Sequence, residues 1–150
     1  MSKSFIKDNL AFVRHQLNQA ATEAGRFPEE IRLIAVSKTK PTTMINEALL
    51  ANQTAFGENM VQEAIKKMST LNNFDNIEWH MLGHLQKNKV KLCPGKFNWI
   101  HSIDSIGLTK KLEELCAFKS ENINVLIQVN LSQEKSKYGV HKLDELFHLA

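Results

Sequence analysis

The segment "IRLIAVSKTKPTT", residues 31–43, shows the unit from which this chain is built. Residues 31–36 are mostly apolar and would place apolar side chains on both faces of a strand, which is typical of a buried strand in a parallel sheet. Pro41 and Thr42 are suited to the first turn of a helix. Lys38 therefore stands where a buried strand ends, either as a solvated residue at the strand exit or as an amine held for chemistry.

The strand–helix unit recurs along the chain. The further predicted strands are "TAFGEN", "IEWHML", "FNWIHSID" and "INVLIQVN". Apolar residues at helical spacing predict helices over residues 6–24, 42–49, 61–71, 108–115 and from 143, and "LQKNKVKLC" (85–93) is also predicted to be helical. Such alternation with short connections favours a parallel sheet with right-handed crossovers. Both a doubly wound open sheet and a (β/α) barrel satisfy the pattern.

The composition limits the class of protein. The 150 residues are enough for one domain, 1–150, and 43% hydrophobic with 23% charged residues is typical of a globular chain. A net charge of +3 is too small to indicate a nucleic-acid partner. Cys93 and Cys116 form no CxxC pair, which favours a reducing compartment. With no signal-peptide core and no apolar run of membrane-spanning length, we expect a cytoplasmic protein without a membrane partner.

Several kinds of site are disfavoured by the motifs. The glycines never approach a GxGxxG or Gly-Lys-Ser/Thr loop, so a nucleotide site is a poor interpretation. His80 and His84 are four residues apart, but a predicted strand and Gly83 deny them a common helical face, so we predict no metal site. The lysines of "KNKVK" (87–91) lack an aromatic stacking platform, so a solvated helix face is favoured over nucleic acid.

Lys38 has two interpretations. Alternation along the strand places it on the same pleat face as Ile34 and Val36. If that face lines a barrel, partial burial favours the neutral amine, which can attack a carbonyl and form a Schiff base. Alternatively, Lys38 and Lys40 simply point to water, and position alone favours this second interpretation.

Five motifs in order identify a family. "AVSKTKP" (35–41), "FGENMVQEA" (56–64), "EWHMLGHLQKNK" (78–89), "HSIDS" (101–105) and "QVNLSQEKSKYG" (128–139) closely resemble the pyridoxal phosphate homeostasis proteins, relatives of the alanine racemase N-terminal barrel. The resemblance implies a (β/α)₈ TIM barrel with pyridoxal 5'-phosphate at the carboxyl ends of the strands. It implies a Schiff base on Lys38, with Asn59 beside the cofactor ring. It also implies a carrier and regulator of the cofactor, acting on apo-enzymes that use it, without robust catalytic turnover.

The chain departs from that family in length. An eight-stranded barrel needs roughly 200 residues or more, so we expect an incomplete barrel of about five β/α units, the N-terminal part of one domain. Such a chain should self-associate or be marginally stable, and should bind the cofactor weakly. The alternative function is a pyridoxal phosphate-dependent racemase-like enzyme, which needs a second acid/base opposite the lysine. The available candidates are Tyr138, Cys93 and Cys116.

Other residues near the strand ends have more than one possible role. Asn59 could cap the following helix, and Asp104 or Ser105 could cap the helix after the fourth strand. His80 is expected to point inward as a hydrogen-bonded structural residue. Gln128 and Asn130 share a face and could line the barrel mouth, beneath an ordered polar loop, "QEKSKYG".

Overall fold

The computed structural model describes residues 5–71, 76–134 and 136–149. Within those residues the strands are Ala35–Val36 (β1), Ala55–Glu58 (β2), Glu78–Met81 (β3), Trp99–Ile103 (β4) and Asn124–Ile127 (β5). The α-helices are Phe5–Glu23 (α1), Thr42–Leu50 (α2), Val61–Met68 (α3), Ile106–Lys119 (α4) and Leu143–Leu149 (α5). No helix in these ranges is both long enough and apolar enough to cross a membrane.

The strand order separates the two architectures that the sequence leaves open. All strands are parallel, and their spatial order, β1-β2-β3-β4-β5, is their order along the chain. A doubly wound sheet reverses its direction of growth at a switch point, whereas a barrel adds each strand beside the last. The TIM-barrel type of fold is therefore confirmed. Among the described residues β1 pairs only with β2 and β5 only with β4, so the barrel is not closed.

The hydrophobic core lies between the helices and one face of the sheet. Phe56, Met81 and Ile100 project from β2, β3 and β4 into this core. They pack with apolar residues of the helices, namely Ile45, Val61, Ala64, Leu108 and Leu112. The opposite face corresponds to the inside of a barrel. At its two edges, Val36 of β1 and Leu126 of β5 are 52% and 46% exposed.

Two predicted elements differ from the structure. The first strand was expected over residues 31–36 but is only Ala35–Val36, because the Leu33 carbonyl accepts a hydrogen bond from the Gln53 side chain. The expected helix over residues 85–93 is only a 3₁₀ turn at Val90–Leu92. Leu85 and Val90 are both buried, and residues five apart do not share one face of an α-helix. This segment therefore turns to bury both side chains.

Candidate functional site

Lys38 lies in a tight turn at the carboxyl end of β1. The Ser37 amide donates to the Gly57 carbonyl at 2.9 Å, which extends the β1–β2 pairing by one residue. The Lys40 amide then donates back to the Ser37 carbonyl at 3.0 Å, and Thr39 between them has φ of 63°. The Ser37 side chain is buried on the helix side of the sheet, so alternation places Lys38 on the opposite, barrel-interior side.

The Lys38 side chain is exposed, in agreement with the interpretation that position alone favours, and it does not show the partial burial that a closed barrel would give. The reason is that β1 is an edge strand here, with Val36 before it also exposed. In the described part of the chain, the Lys38 ammonium makes no hydrogen bond or ion pair, so the amine is free to react.

A mostly buried charged cluster lies against this turn. It consists of Ser37, Glu58, Glu63 and Lys67, called here the Lys67 cluster. Lys67 Nζ lies 2.7 Å from the Ser37 carbonyl oxygen, from Glu58 Oε1 and from Glu63 Oε1. The hydrogen bond to Lys67, followed by that from the Thr39 amide, holds the pKa of Glu63 below its ordinary value. The Lys67 ammonium therefore has three oxygen partners, which matches its three N–H donors.

Sequence reasoning missed the Lys67 cluster. It assigned no site role to Glu58, Glu63 or Lys67. One local signal was available, because Glu63 and Lys67 are four residues apart on α3, a spacing that allows an ion pair. The contacts of Lys67 with Ser37 and Glu58 depend on how α3 packs on the sheet.

Asn59 lies at the carboxyl end of β2, beside a cavity of about 350 Å³. The cavity is lined by Asn59, Met60, Val61, Gln62, Met81, Gly83, His84, Gln86, Lys89 and Tyr138. Lys38 is not part of this lining, so the structure does not bring the two predicted cofactor residues into one cavity. Helix α3 has Met60 as its N-cap, so the alternative role of Asn59 as a helix cap is not observed. The side-chain amide of Asn59 has no hydrogen-bond partner among the residues that the structure describes.

The wall of this cavity contains a stacked pair of rings. His84 stacks on Tyr138 with ring centroids 3.6 Å apart and planes 9° apart, and His84 Nδ1 lies 3.3 Å from Asp104 Oδ2. Asp104 therefore faces His84, and the N-cap of α4 is Ser105, which makes no side-chain capping bond.

The loop that carries Tyr138 is held by two side chains of the preceding segment. Gln128 Nε2 donates to the Tyr138 carbonyl, and Asn130 Nδ2 donates to the carbonyls of Glu134 and Lys137. The sequence suggested that Gln128 and Asn130 could line the barrel mouth. Both line a cavity beside this loop, their side-chain amides hold the loop, and Asn130 is buried beneath it.

A second group of polar side chains lies on the barrel-interior face of the sheet, nearer the amino ends of the strands. His80 Nδ1 is 3.0 Å from His101 Nε2, and Glu78 receives hydrogen bonds from Arg32 and from the Trp99 indole. Burial lowers the pKa of His80 and of His101 below the ordinary value of 6.5. His80 is 2% exposed, so the prediction of an inward, hydrogen-bonded structural histidine is confirmed.

The carboxyl edge of the sheet offers an amine that can react with a carbonyl group, and next to it a side chain that can form hydrogen bonds. A free primary amine (Lys38) and an unpaired amide (Asn59) end the neighbouring strands β1 and β2, and polar side chains line the adjacent cavity. In the ranges that the structure describes, no group of three His, Cys, Asp or Glu side chains could hold a metal ion.

Comparison with known proteins gives one matching family and relatives that share one name. The family described as "Alanine racemase, N-terminal domain" matches residues 9–150. The chain is 46% identical over 145 residues to the pyridoxal phosphate homeostasis protein of Escherichia coli K12, which covers 94% of this chain. It is 43% identical over 150 residues to the protein of the same name from Vibrio alginolyticus, which covers 98% of this chain. The resemblance that the motifs indicated is confirmed.

Solved structures agree with these relatives. PipY of Synechococcus elongatus PCC7942, solved with PLP bound, is 37% identical with a TM-score of 0.76, over 89% of this chain and 63% of PipY. A protein from Bifidobacterium adolescentis is 30% identical with a TM-score of 0.82, over 91% of this chain and 59% of its own. The present chain spans 62% of the length of the Escherichia coli relative and 64% of that from Vibrio.

Proposed function

Because the chain belongs to the family of the alanine racemase N-terminal domain, we propose that it binds pyridoxal 5'-phosphate and serves in intracellular homeostasis of this cofactor. The observation that carries the proposal is the free Lys38 amine at the carboxyl end of β1, in a chain 37% identical to a PLP-bound structure. Lys38 would hold the cofactor, whose aldehyde can condense with a primary amine to form a C=N bond with loss of water. Asn59 would hydrogen-bond to the bound ring.

The role we propose is that of a carrier and regulator that delivers cofactor to apo-enzymes, without turnover of amino acids. Racemisation requires a second acid/base on the face opposite the lysine. Burial raises the pKa of Cys93 to about 12 and also raises the pKa of Cys116, so neither thiol is suited to proton transfer at neutral pH. These features support a binding role over catalysis.

The alternative function is that of a racemase-like enzyme, and one observation favours it. Tyr138 lies in the wall of the cavity next to Asn59 and is stacked on His84, so its phenol could serve as a second acid/base. The two functions differ in what Lys38 does, because a carrier needs only the covalent bond.

The first prediction is that Lys38 forms that bond. Adding pyridoxal phosphate should produce a visible absorption band, and borohydride reduction followed by peptide mapping should place the pyridoxyl group on Lys38. Lys38→Ala should lose the band and the label, whereas the matched control Lys40→Ala, two residues along the same turn, should keep both. A label on Lys40 or on the lysines of residues 87–91 in the wild-type chain would contradict the proposal.

The second prediction concerns turnover. Incubation of L-alanine with the cofactor-loaded protein should give no more D-alanine than the Lys38→Ala variant gives, as measured by chiral chromatography. Racemisation that disappears in both Lys38→Ala and Tyr138→Phe would establish the racemase-like alternative. If Lys38→Ala abolished racemisation but Tyr138→Phe did not, the carrier-only role would also be rejected. The second acid/base would then be a residue other than Tyr138.

A further inference from the structure

The turn that carries Lys38 has a backbone conformation that its own residues do not favour. Thr39 has φ of 63°, in the left-handed region, where a β-branched side chain is disfavoured. A turn with a positive φ at its third residue normally uses glycine or asparagine there. The conformation of residues 37–40 must therefore be held by contacts outside the turn.

The Lys67 cluster supplies those contacts on both sides of Lys38. On the amino side, Lys67 Nζ donates to the Ser37 carbonyl at 2.7 Å, and Ser37 Oγ donates to Glu58 Oε1 at 2.6 Å. On the carboxyl side, the Thr39 amide donates to Glu63 Oε1 at 2.6 Å. Lys67 joins the two carboxylates, so one ammonium connects the residues before and after Lys38.

Burial strengthens the amino-side contacts of this cluster, whereas Glu63, which accepts from the Thr39 amide, is 28% exposed. The side chains of Glu58 and Lys67 are 0% and 8% exposed, and hydrogen bonds between charged groups are strong when water is excluded. A cluster that served packing alone could be replaced by apolar side chains of similar volume. This cluster instead forms hydrogen bonds with Ser37 and Thr39, the two neighbours of Lys38. It forms none with the Lys38 amine.

We infer that Lys67, together with Glu58 and Glu63, is a positioning residue that fixes the turn so that Lys38, and not Lys40, is presented to an aldehyde ligand. The inference rests on the proposed function, because it assumes that the Lys38 amine is the group that reacts. The cluster touches no ligand itself and acts through the backbone of residues 37–39.

The first test needs no ligand. Glu63→Ala removes the acceptor of the Thr39 amide but keeps the Glu58–Lys67 ion pair, so the chain should fold. Loss of a hydrogen bond to a charged acceptor should accelerate exchange of the Thr39 amide proton about tenfold, measured by NMR. Glu114→Ala, which removes an exposed glutamate from α4, is the matched control and should leave that rate unchanged.

The second test measures which amine is selected. At saturating pyridoxal phosphate, borohydride labelling followed by peptide mapping gives the ratio of labelled Lys38 to labelled Lys40. Glu63→Ala should shift this ratio toward equal labelling. Glu58→Gln combined with Lys67→Met should also shift it, because the double change removes the contacts of Lys67 with Ser37 and Glu63 without leaving Glu58 as an unpaired buried charge. Lys66→Met, an exposed neighbour on α3, should match the wild type.

The outcomes separate this inference from the proposed function. If wild-type protein labels Lys38 but Glu63→Ala changes neither Thr39 exchange nor the labelling ratio, the positioning role is wrong while the cofactor proposal stands. If Glu63→Ala accelerates Thr39 exchange but leaves the ratio unchanged, the cluster is structural and the positioning role is again wrong. If wild-type protein carries no label on Lys38, the cofactor proposal fails, and the positioning role fails with it.

Discussion

At the scale of single residues, the interior histidines show how burial decides protonation. The His80–His101 hydrogen bond requires that one ring nitrogen donate and the other accept, so at least one of the two rings is neutral. Burial lowers the pKa of both rings; for His80 the nearby Glu78 opposes this effect, while His101 and Arg32 add to it. Protonation of both rings would place two positively charged imidazoles side by side, with His80 Nδ1 and His101 Nε2 3.0 Å apart.

The third prediction follows from these lowered pKa values. Between the ordinary value of 6.5 and the lower folded-state values, the unfolded chain binds more protons than the folded chain. With respect to these two histidines, the free energy of unfolding is therefore highest above pH 6.5 and decreases as the pH falls below that value. Each unit of pKa lowering corresponds to about 1.4 kcal/mol. Urea unfolding at pH 8, 6 and 5 should show this loss of stability.

The variants isolate the histidine contribution. His101→Gln should flatten the pH dependence between pH 8 and 5, because it removes one titrating group and the like-charge repulsion on the other. His15→Gln, which changes an exposed histidine on α1, should retain the wild-type slope. Equal slopes in wild type and His101→Gln would contradict the assignment of the pH dependence to this pair.

At the scale of elements, the sequence predicted what short-range periodicity determines. Helix α1 follows its apolar stripe, and the chain turns at Gly25 with φ of 69°. Strands β2 to β5 lie within the apolar segments assigned to them. The failures were at β1 and at residues 85–93, where contacts distant in sequence decide the conformation. The position of Lys38 could be predicted from its strand, but the Lys67 cluster could not, since it joins β1, β2 and α3.

The fourth prediction concerns the contact between the ends of β2 and β3. A Cβ added at Gly83 would collide with the backbone of Asn59, so Gly83 allows these two segments to approach closely. Gly83→Ala should destabilise the fold by roughly 1–3 kcal/mol, because the backbone must move to accommodate the methyl group. It should also weaken binding of pyridoxal phosphate, since Asn59 lies in the displaced segment. Urea unfolding and a cofactor titration measure the two effects.

Gly107→Ala is the matched control for that substitution. Gly107 lies in α4, and a Cβ there would meet only the flexible end of the Lys87 side chain, 3.1 Å from Nζ. Replacing a helical glycine by alanine should therefore be neutral or stabilise the fold by up to about 1 kcal/mol. If Gly83→Ala were as well tolerated as Gly107→Ala, the close approach at Asn59 would have no energetic importance.

At the scale of the whole molecule, the open sheet is the dominant feature. Strands β1 and β5 each have one edge that no other described strand covers, and the interior face exposes Val36 and Leu126. Unpaired backbone groups at a sheet edge can pair with a second chain, and an exposed apolar face favours association. The site shares this exposure, because Lys38 follows directly after the edge strand β1.

The fifth prediction is that the 150-residue chain self-associates or is only marginally stable, and binds pyridoxal phosphate weakly. Light scattering should show species larger than the 17.1 kDa monomer, increasing with protein concentration. Leu126→Lys places a charge on the interior face of the edge strand β5 and should reduce association. Phe118→Lys, at a residue that is 87% exposed on α4, also adds a positive charge but should leave association at the wild-type level. A monomer with a sharp unfolding transition and tight cofactor binding would contradict this prediction. The edges of β1 and β5 would then have to be covered in a way that the present strand order does not show.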